Sequence, residues 1–535
     1  MLRLLLAATL LLAFASPALG QARDRAAKPS AGINLAGPAD WNTELPFVDA
    51  FRLSRPWISQ REGAAWGQGP ELSLDDRGYV TALEPGCFAE TLVLTIDSGR
   101  YPKGRYTLLY DGTGEFAFNG SGAKIVEKVP GRIVVDVSGS GAVFIQLRGV
   151  DADDYPTNIR FLMPGFEESY EAEPFHPIFL ARWQGMAAIR FMDWMETNNS
   201  EVETWDDRPA VDDATWAHGI PLEVMIDLAN RLDADAWFCM PHLADDDYVR
   251  RFAEQTKADL EPGRVAYVEY SNEVWNGQFA QQRYAGDRGL ELGIGNEHWD
   301  AGWHYYSRRS VEIFGIWSEA FGEETGDRVV RVLATQAANP WVSGQIVDYD
   351  VNGSPAGEQA DALAIAPYFG MNVRPTGGDA ENPSADMMQD WTADDVLAHL
   401  RDRALPASIE WIRGNKEQAD RYGLALICYE AGQHAVGIQG GENDETITAL
   451  FHAANRSEGM GELYDAYLSA WQEQGGGLMC LFSSVSTFGK WGSWGLAEHY
   501  DDRPADYGKY ASVIRWAESL DQPVNADPVA AAEAR

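Results

Sequence analysis

Residues 424–434 read Leu-Ala-Leu-Ile-Cys-Tyr-Glu-Ala-Gly-Gln-His. The run opens apolar at every position, as a strand buried on both faces does, and then meets a carboxylate. A stretch of helical period precedes it at 409–422 and another follows at 461–474. Working outward, the same texture recurs. Strand-like runs lie at 33–35, 187–194, 236–242, 268–273, 329–336, 362–369 and 478–484, with helical stretches at 221–232, 246–258, 304–321 and 392–400. Eight apolar runs alternating with helices predict a parallel sheet, closed as a (β/α)8 TIM barrel.

One region breaks the alternation. Residues 60–165 hold short β-branched or alternating runs at 91–96, 106–110, 124–129, 133–137 and 143–147. Gly, Asp, Asn and Ser separate them at roughly 8–12-residue spacing, the pattern of a β-sandwich. The chain is therefore expected to divide into a barrel start at 23–59 (first strand and first helix), a β-sandwich at 60–165 inserted after the first βα unit, the remaining barrel at 166–517, and a disordered Ala/Pro/Glu-rich tail at 518–535. The barrel share is roughly 390 residues, within the known span of ~200 to over 400. The insert leaves from a barrel loop and could form one wall of a cleft. Its strands carry no clear aromatic stripe, so a brace is favoured over a carbohydrate-binding module.

Bulk properties narrow the function. Residues 1–22 read as a secretory signal: Arg3, an apolar run over 4–15 broken only by Thr9, then small residues at Ala18, Gly20 and Ala22. The apolar run is far short of the ~20 residues of a membrane span. The chain is thus expected to be exported, to the periplasm or the extracellular space, with no membrane partner. A net charge of −39 argues against nucleic acid and anionic surfaces, and makes a neutral glycan a better substrate than a polyanionic one. The 19 tryptophans suit sugar binding, although most belong in a core. Cys87, Cys239, Cys428 and Cys480 show no zinc-ligand spacing and are expected as buried free thiols, with a Cys428–Cys480 bridge as the alternative. No metal or organic cofactor is called for, and a monomer is expected.

Active sites of such barrels lie where strands end. The fourth strand, Tyr-Val-Glu-Tyr-Ser-Asn-Glu, ends at Asn272 and Glu273; the seventh ends at Glu430. Burying a lone charge is costly, so a carboxylate just past an apolar strand needs a reason. Retaining glycosidases supply one, because they need two carboxyl groups ~5–5.5 Å apart across the scissile bond. A second Asn-Glu pair, Asn296-Glu297, follows Gly-Ile-Gly and no strand, and reads as a loop or helix start.

The joint pattern resembles clan A of the glycoside hydrolases over the barrel but not the insert. The segments Glu-Tyr-Ser-Asn-Glu-Val-Trp-Asn and Tyr-Glu-Ala-Gly-Gln-His also resemble proteins loosely described as cellulose-binding. The resemblance implies Glu273 as acid/base, Glu430 as nucleophile and Asn272 as a ligand of the sugar 2-hydroxyl. It further implies that Arg190 holds the nucleophile ionised, with a core ion pair to Glu269 as the alternative. Tyr368 would present its hydroxyl to the nucleophile, or else be a core tyrosine. Trp491 or Trp494, after the eighth strand, would lie beneath the sugar. His242 and His434 are candidate sugar-hydroxyl ligands rather than a metal pair, and Trp275 a candidate platform, evenly balanced, as is Trp194, against a core role. The function expected is retaining hydrolysis of a β-linked glycan. A non-catalytic carbohydrate-binding protein on the same barrel is the alternative.

Overall fold

A computed structural model describes residues 20–534; the apolar stretch 4–15 read as a secretory signal lies outside the described residues. Eight parallel strands close a barrel: Ser30–Asn34, Ala188–Arg190, Asp235–Met240, Ala266–Tyr270, Val329–Ala334, Ala362–Ile365, Ala425–Ala431 and Leu478–Leu481. Closure comes from the first strand pairing with the eighth, Ser30 with Leu478 through Ile33 with Leu481. Side chains alternate across the wall, as a pleated strand requires. Trp237, Cys239, Tyr267, Val332, Ile427, Tyr429 and Cys480 fill the interior. Phe238, Met240, Val268, Leu333, Leu426, Cys428 and Leu481 face the surrounding helices. That alternation keeps Cys428 and Cys480 on opposite faces of the wall, and all four cysteines are free and buried.

The floor of the barrel is sealed by helix Gln21–Ala27. Its Ala22 and Ala26 are buried within the interior cluster, and Arg25 Nε pairs with Asp235 Oδ2 at 2.7 Å. Ala22, assigned to the leader from the sequence, is therefore part of the fold, and the boundary expected at 22 falls inside a packed helix.

Beside a short two-stranded sheet, Ser73–Leu74 and Val80–Ala82, the insert is built on two four-stranded antiparallel sheets. One orders Ile58–Arg61, Cys87–Val93, Val143–Val150 and Gly114–Asn119; the other orders Thr157–Leu162, Gly104–Asp111, Arg132–Val137 and Lys124–Val129. They share a core of their own that includes Tyr106, Leu108, Phe116, Ile133, Ile145 and Phe161. No helix completes the first βα unit before them. Between Asn34 and Ile58 the chain forms only a 3-10 turn, Ala50–Leu53, and the first barrel helix, Pro177–Trp183, follows the sheets. The insert thus interrupts the first βα unit rather than succeeding it. The residues available for a helix are used otherwise: Phe47 bridges to Phe175, Asp49 bridges to Leu162, and Val48 N donates to Pro174 O. These contacts bring the departing and returning chain side by side.

The chain end is also ordered, against the expectation of a disordered tail. Helix Gly508–Ser519 packs on helix Glu458–Glu473, and Pro528–Glu533 packs on Pro177–Trp183. Between them Gln522 accepts from Ala31 N (2.7 Å) and donates to Ala31 O (3.0 Å) and Gly185 O (2.9 Å), while Asn525 donates to Ala181 O (2.5 Å). Composition hid this because much of the anchoring falls to side-chain amides, with only Leu520, Val524 and Pro528 adding apolar contact. Among the described residues no helix is long and apolar enough to cross a membrane.

Candidate active site

Two local departures from regular strand geometry build the site. Beyond Tyr270 the fourth strand leaves its pleat, with Ser271 at φ 58° and Glu273 at φ 43°, both in the left-handed region. Such conformations cost roughly 1–3 kcal/mol for non-glycine residues and cluster at functional sites. On the seventh strand, alternation would place Glu430 with Leu426 and Cys428, facing the helices. The register against the eighth strand slips between Cys428 and Ala431, and past the slip Ala431 joins the outer cluster. A bulge of this kind re-aims a side chain, and Glu430 turns into the barrel mouth. Both glutamates line one open cleft of about 680 Å³.

The two carboxyl groups have opposite surroundings. Glu430 Oε1 accepts from Arg190 Nη1 at 3.0 Å and Oε2 from Tyr368 Oη at 3.0 Å. Glu273 Oε2 accepts from Asn276 Nδ2 at 2.8 Å and Oε1 from Tyr429 Oη at 3.3 Å. Burial, and then the adjacent Glu430 charge, raise the Glu273 carboxyl above the usual carboxylate range, with Asn276 and Tyr429 pulling partly back. One group is thus biased to hold a proton while the other sits against a fixed cation.

Arg190 occupies the centre. It is fully buried and donates to Glu269 Oε2 from Nε (3.3 Å) and Nη2 (3.0 Å), to Asn34 Oδ1 from Nη1 (3.1 Å) and to Asn272 Oδ1 from Nη2 (2.9 Å), besides Glu430. The two roles weighed from the sequence coexist: a core ion pair to Glu269 and a contact to Glu430. Asn272 is buried, accepting from Arg190 and donating to Asn198 Oδ1 at 3.1 Å, which leaves one amide hydrogen uncommitted. Asn34 ends the first strand and donates to Tyr429 O at 2.8 Å. The strand-end rule applied to the fourth and seventh strands would have found it on the first. Tyr429 and Asn276, each adjacent to or one turn from a glutamate, carried no comparable signal.

The remaining candidates separate. Tyr368, His434, Trp275 and Trp494 line the cleft, with the His434 ring 5.3 Å from Tyr368 and 5.9 Å from Trp494. Burial lowers the His434 imidazole and so disfavours its charged form. Trp491 does not line the cleft; it stands 64% exposed at the tip of a loop, beneath Lys490 Nζ. His242 is buried against Tyr284, outside the cleft lining, and burial pushes its imidazole down to about 4. Trp194 is a core residue that donates to Ala36 O. Asn296-Glu297 begins a helix, Glu297 capping His298–Phe321. Among the described residues no group of three His, Cys, Asp or Glu side chains is placed to hold a metal ion.

Trp411, Phe482, Gln336 and Arg403 also line the cleft and had no signature in the sequence. Arg403 lies in a π-helical turn, Leu400–Ala404, and pairs with Glu381 at 3.3 Å. None of the described insert residues lines the cleft, which corrects the expectation that the insert forms one wall. The insert instead packs on the loop after the second strand: Ala214 joins its core and Arg77 pairs with Asp212.

No protein-family model matches this chain, and no curated protein matches it either. Solved structures to which it is similar include a GH5-4 broad-specificity endoglucanase from Clostridium acetobutylicum, at 12% identity over 64% of this chain and 88% of that one, with a TM-score of 0.35. Others are a 4-O-α-L-rhamnosyl-β-D-glucuronidase from Fusarium oxysporum 12S (9% identity, 64% and 63% covered, TM-score 0.38) and AbfB, a family 51 α-L-arabinofuranosidase from Bifidobacterium longum (10% identity, 64% and 66% covered, TM-score 0.37).

Proposed function

We propose that this chain is a retaining glycoside hydrolase acting on β-linked, neutral glycans outside the cytoplasm. The observation that carries the reading is the pair of glutamates at the ends of the fourth and seventh strands. They face one cleft; burial and the neighbouring Glu430 bias Glu273 to hold its proton, while Glu430 accepts from the Arg190 guanidinium and the Tyr368 hydroxyl. A carboxyl biased to stay protonated beside a second carboxyl held by a cation suits an acid and a nucleophile.

In the first step the Glu430 carboxylate attacks the anomeric carbon while Glu273 gives its proton to the leaving oxygen. In the second step Glu273, now a carboxylate, takes a proton from water, which attacks the anomeric carbon and releases Glu430. Arg190 and Tyr368 hold both oxygens of Glu430 in place. Trp494 supplies an aromatic face in the cleft, while Asn272, buried and outside the cleft lining, accepts from Arg190 and so helps to hold it against Glu430.

The test is incubation of the purified protein with a panel of soluble polysaccharides and aryl β-glycosides, reading new reducing ends and the anomer formed first. A first-formed β-anomer supports the reading. A first-formed α-anomer would indicate inversion, which also requires the carboxyls ~6.5–9.5 Å apart. Tight binding with no new reducing ends from any substrate would instead favour a carbohydrate-binding protein.

A further inference from the structure

We infer that Trp299, Trp303 and Trp341 form an outer binding platform for a polysaccharide chain that continues out of the catalytic cleft. This rests on the glycosidase reading and deepens it, since it assigns a polymer rather than a short glycoside as substrate.

The three rings form one cluster. Their centroids lie 4.9 Å apart for Trp299 and Trp303, 5.6 Å for Trp303 and Trp341, and 6.1 Å for Trp299 and Trp341. Trp299 is 47% and Trp341 53% exposed. Exposed apolar patches of this kind mark binding surfaces, and aromatic side chains with few rotatable bonds present them at low entropic cost. Aromatic faces pack on the apolar faces of pyranose rings.

Topology places the cluster at the mouth. Trp299 is the second residue of helix His298–Phe321 and Trp341 the second of Pro340–Asp348. Barrel helices run against the strands, so their first residues lie at the face where active sites form. The cluster is also continuous with the cleft. Gln336, Ala337 and Ala338 line the cleft wall, and Trp341 follows Ala338 by three residues. On the other side Trp411 lines the cleft one turn before Gly414, and a Cβ on Gly414 would come within 2.7 Å of Pro340. Trp299 lies on a helix after the fourth strand, which ends at the acid Glu273, and Trp341 on the helix after the fifth, so the cluster stands on the Glu273 side of the mouth. A bound chain would extend its leaving-group end onto the cluster, an arrangement suited to cutting within a polymer.

The test uses the full chain in native gels containing hydroxyethylcellulose, xyloglucan, glucomannan or arabinoxylan, with Glu430→Gln as background so that the polymer survives. The Trp299→Ala/Trp341→Ala double variant should lose retardation, with its apparent Kd for the polymer raised at least about tenfold. With Glu430 intact, the same double variant should hydrolyse aryl glycosides as the parent does and show a raised KM on polymer. Trp66→Ala, a 53% exposed tryptophan on the insert, should change neither. Equal retardation of parent and double variant would overturn the inference while leaving the glycosidase reading intact. So would a parent dimer, seen by light scattering, that the double variant dissolves, because the cluster would then be a self-association surface. If the parent neither binds nor cleaves any polymer or aryl glycoside, both readings fall together.

Discussion

Arg190 Nη1 lies 3.0 Å from Glu430 Oε1 while the same guanidinium donates twice to Glu269, and neither Arg190 nor Glu269 has any solvent exposure. One buried cation thus serves a structural ion pair and the proposed nucleophile together. Removing one partner of a buried pair leaves the other charge uncompensated, at a cost on the order of 3–5 kcal/mol.

Arg190→Met should therefore both destabilise the fold and abolish most turnover. Adding Glu269→Gln removes the stranded charge and should recover much of the lost stability, read by urea denaturation. It should not recover kcat, expected to stay down by about 10²–10³-fold as for loss of a preorganised donor. Recovery of kcat along with stability would assign Arg190 a purely structural role.

The two glutamates should fail differently. Glu430→Ala should abolish turnover on every substrate. Glu273→Ala should cost about 10²–10⁴-fold where the leaving group needs a proton, and far less on an activated aryl glycoside. Azide should rescue the Glu273 variant and give a glycosyl azide of retained configuration by NMR. An inverted azide would mean that the two roles are exchanged.

The alkaline limb of the kcat/KM profile should report Glu273, whose carboxyl is raised by burial and by Glu430. Asn276 donates to its charged form, which lowers its pKa. Asn276→Ala should thus move the alkaline limb to higher pH, and Tyr429→Phe should do the same. A limb that stays put in both variants would show that another group controls it.

Glu44 offers a stability test away from the cleft. It is buried, accepting from Trp183 Nε1 at 2.6 Å and Ser484 Oγ at 2.7 Å, and burial pushes its carboxyl to about 7. Between pH 4.5 and 7 the folded protein holds a proton that the unfolded chain has released, so stability falls as pH rises through that window. Glu44→Gln stays neutral throughout. Its stability should therefore gain on the parent between pH 5 and pH 8, by up to about 3 kcal/mol at ~1.4 kcal/mol per pH unit. A gap that does not change with pH would mean that Glu44 is ionised across the whole range.

Deleting residues 521–535 should lower the thermal midpoint. It removes the bonds of Gln522 to Ala31 and Gly185 and of Asn525 to Ala181. At about 1 kcal/mol per bond the loss is a few kcal/mol, before counting the helix Pro528–Glu533. An unchanged midpoint by calorimetry would restore the view of this segment as a loose tail.

The sequence by itself determined the barrel, its eight strands and the two glutamates. Those features are local: burial on both faces writes a continuous apolar run, and a strand end is the place where such a run meets a charge. The tertiary structure decided the rest, because it depends on residues far apart in the chain. Arg190 reaches Glu430 across 240 positions, and the slip that turns Glu430 inward depends on register with the eighth strand. Trp491 and Trp494 are alike in sequence, yet only Trp494 faces the cleft, since loop conformation and not composition aims a side chain. The place of the insert, before rather than after the first helix, was settled by pairing of Phe47 with Phe175 and of Asp49 with Leu162. Long-range pairing of this kind leaves no periodicity to read.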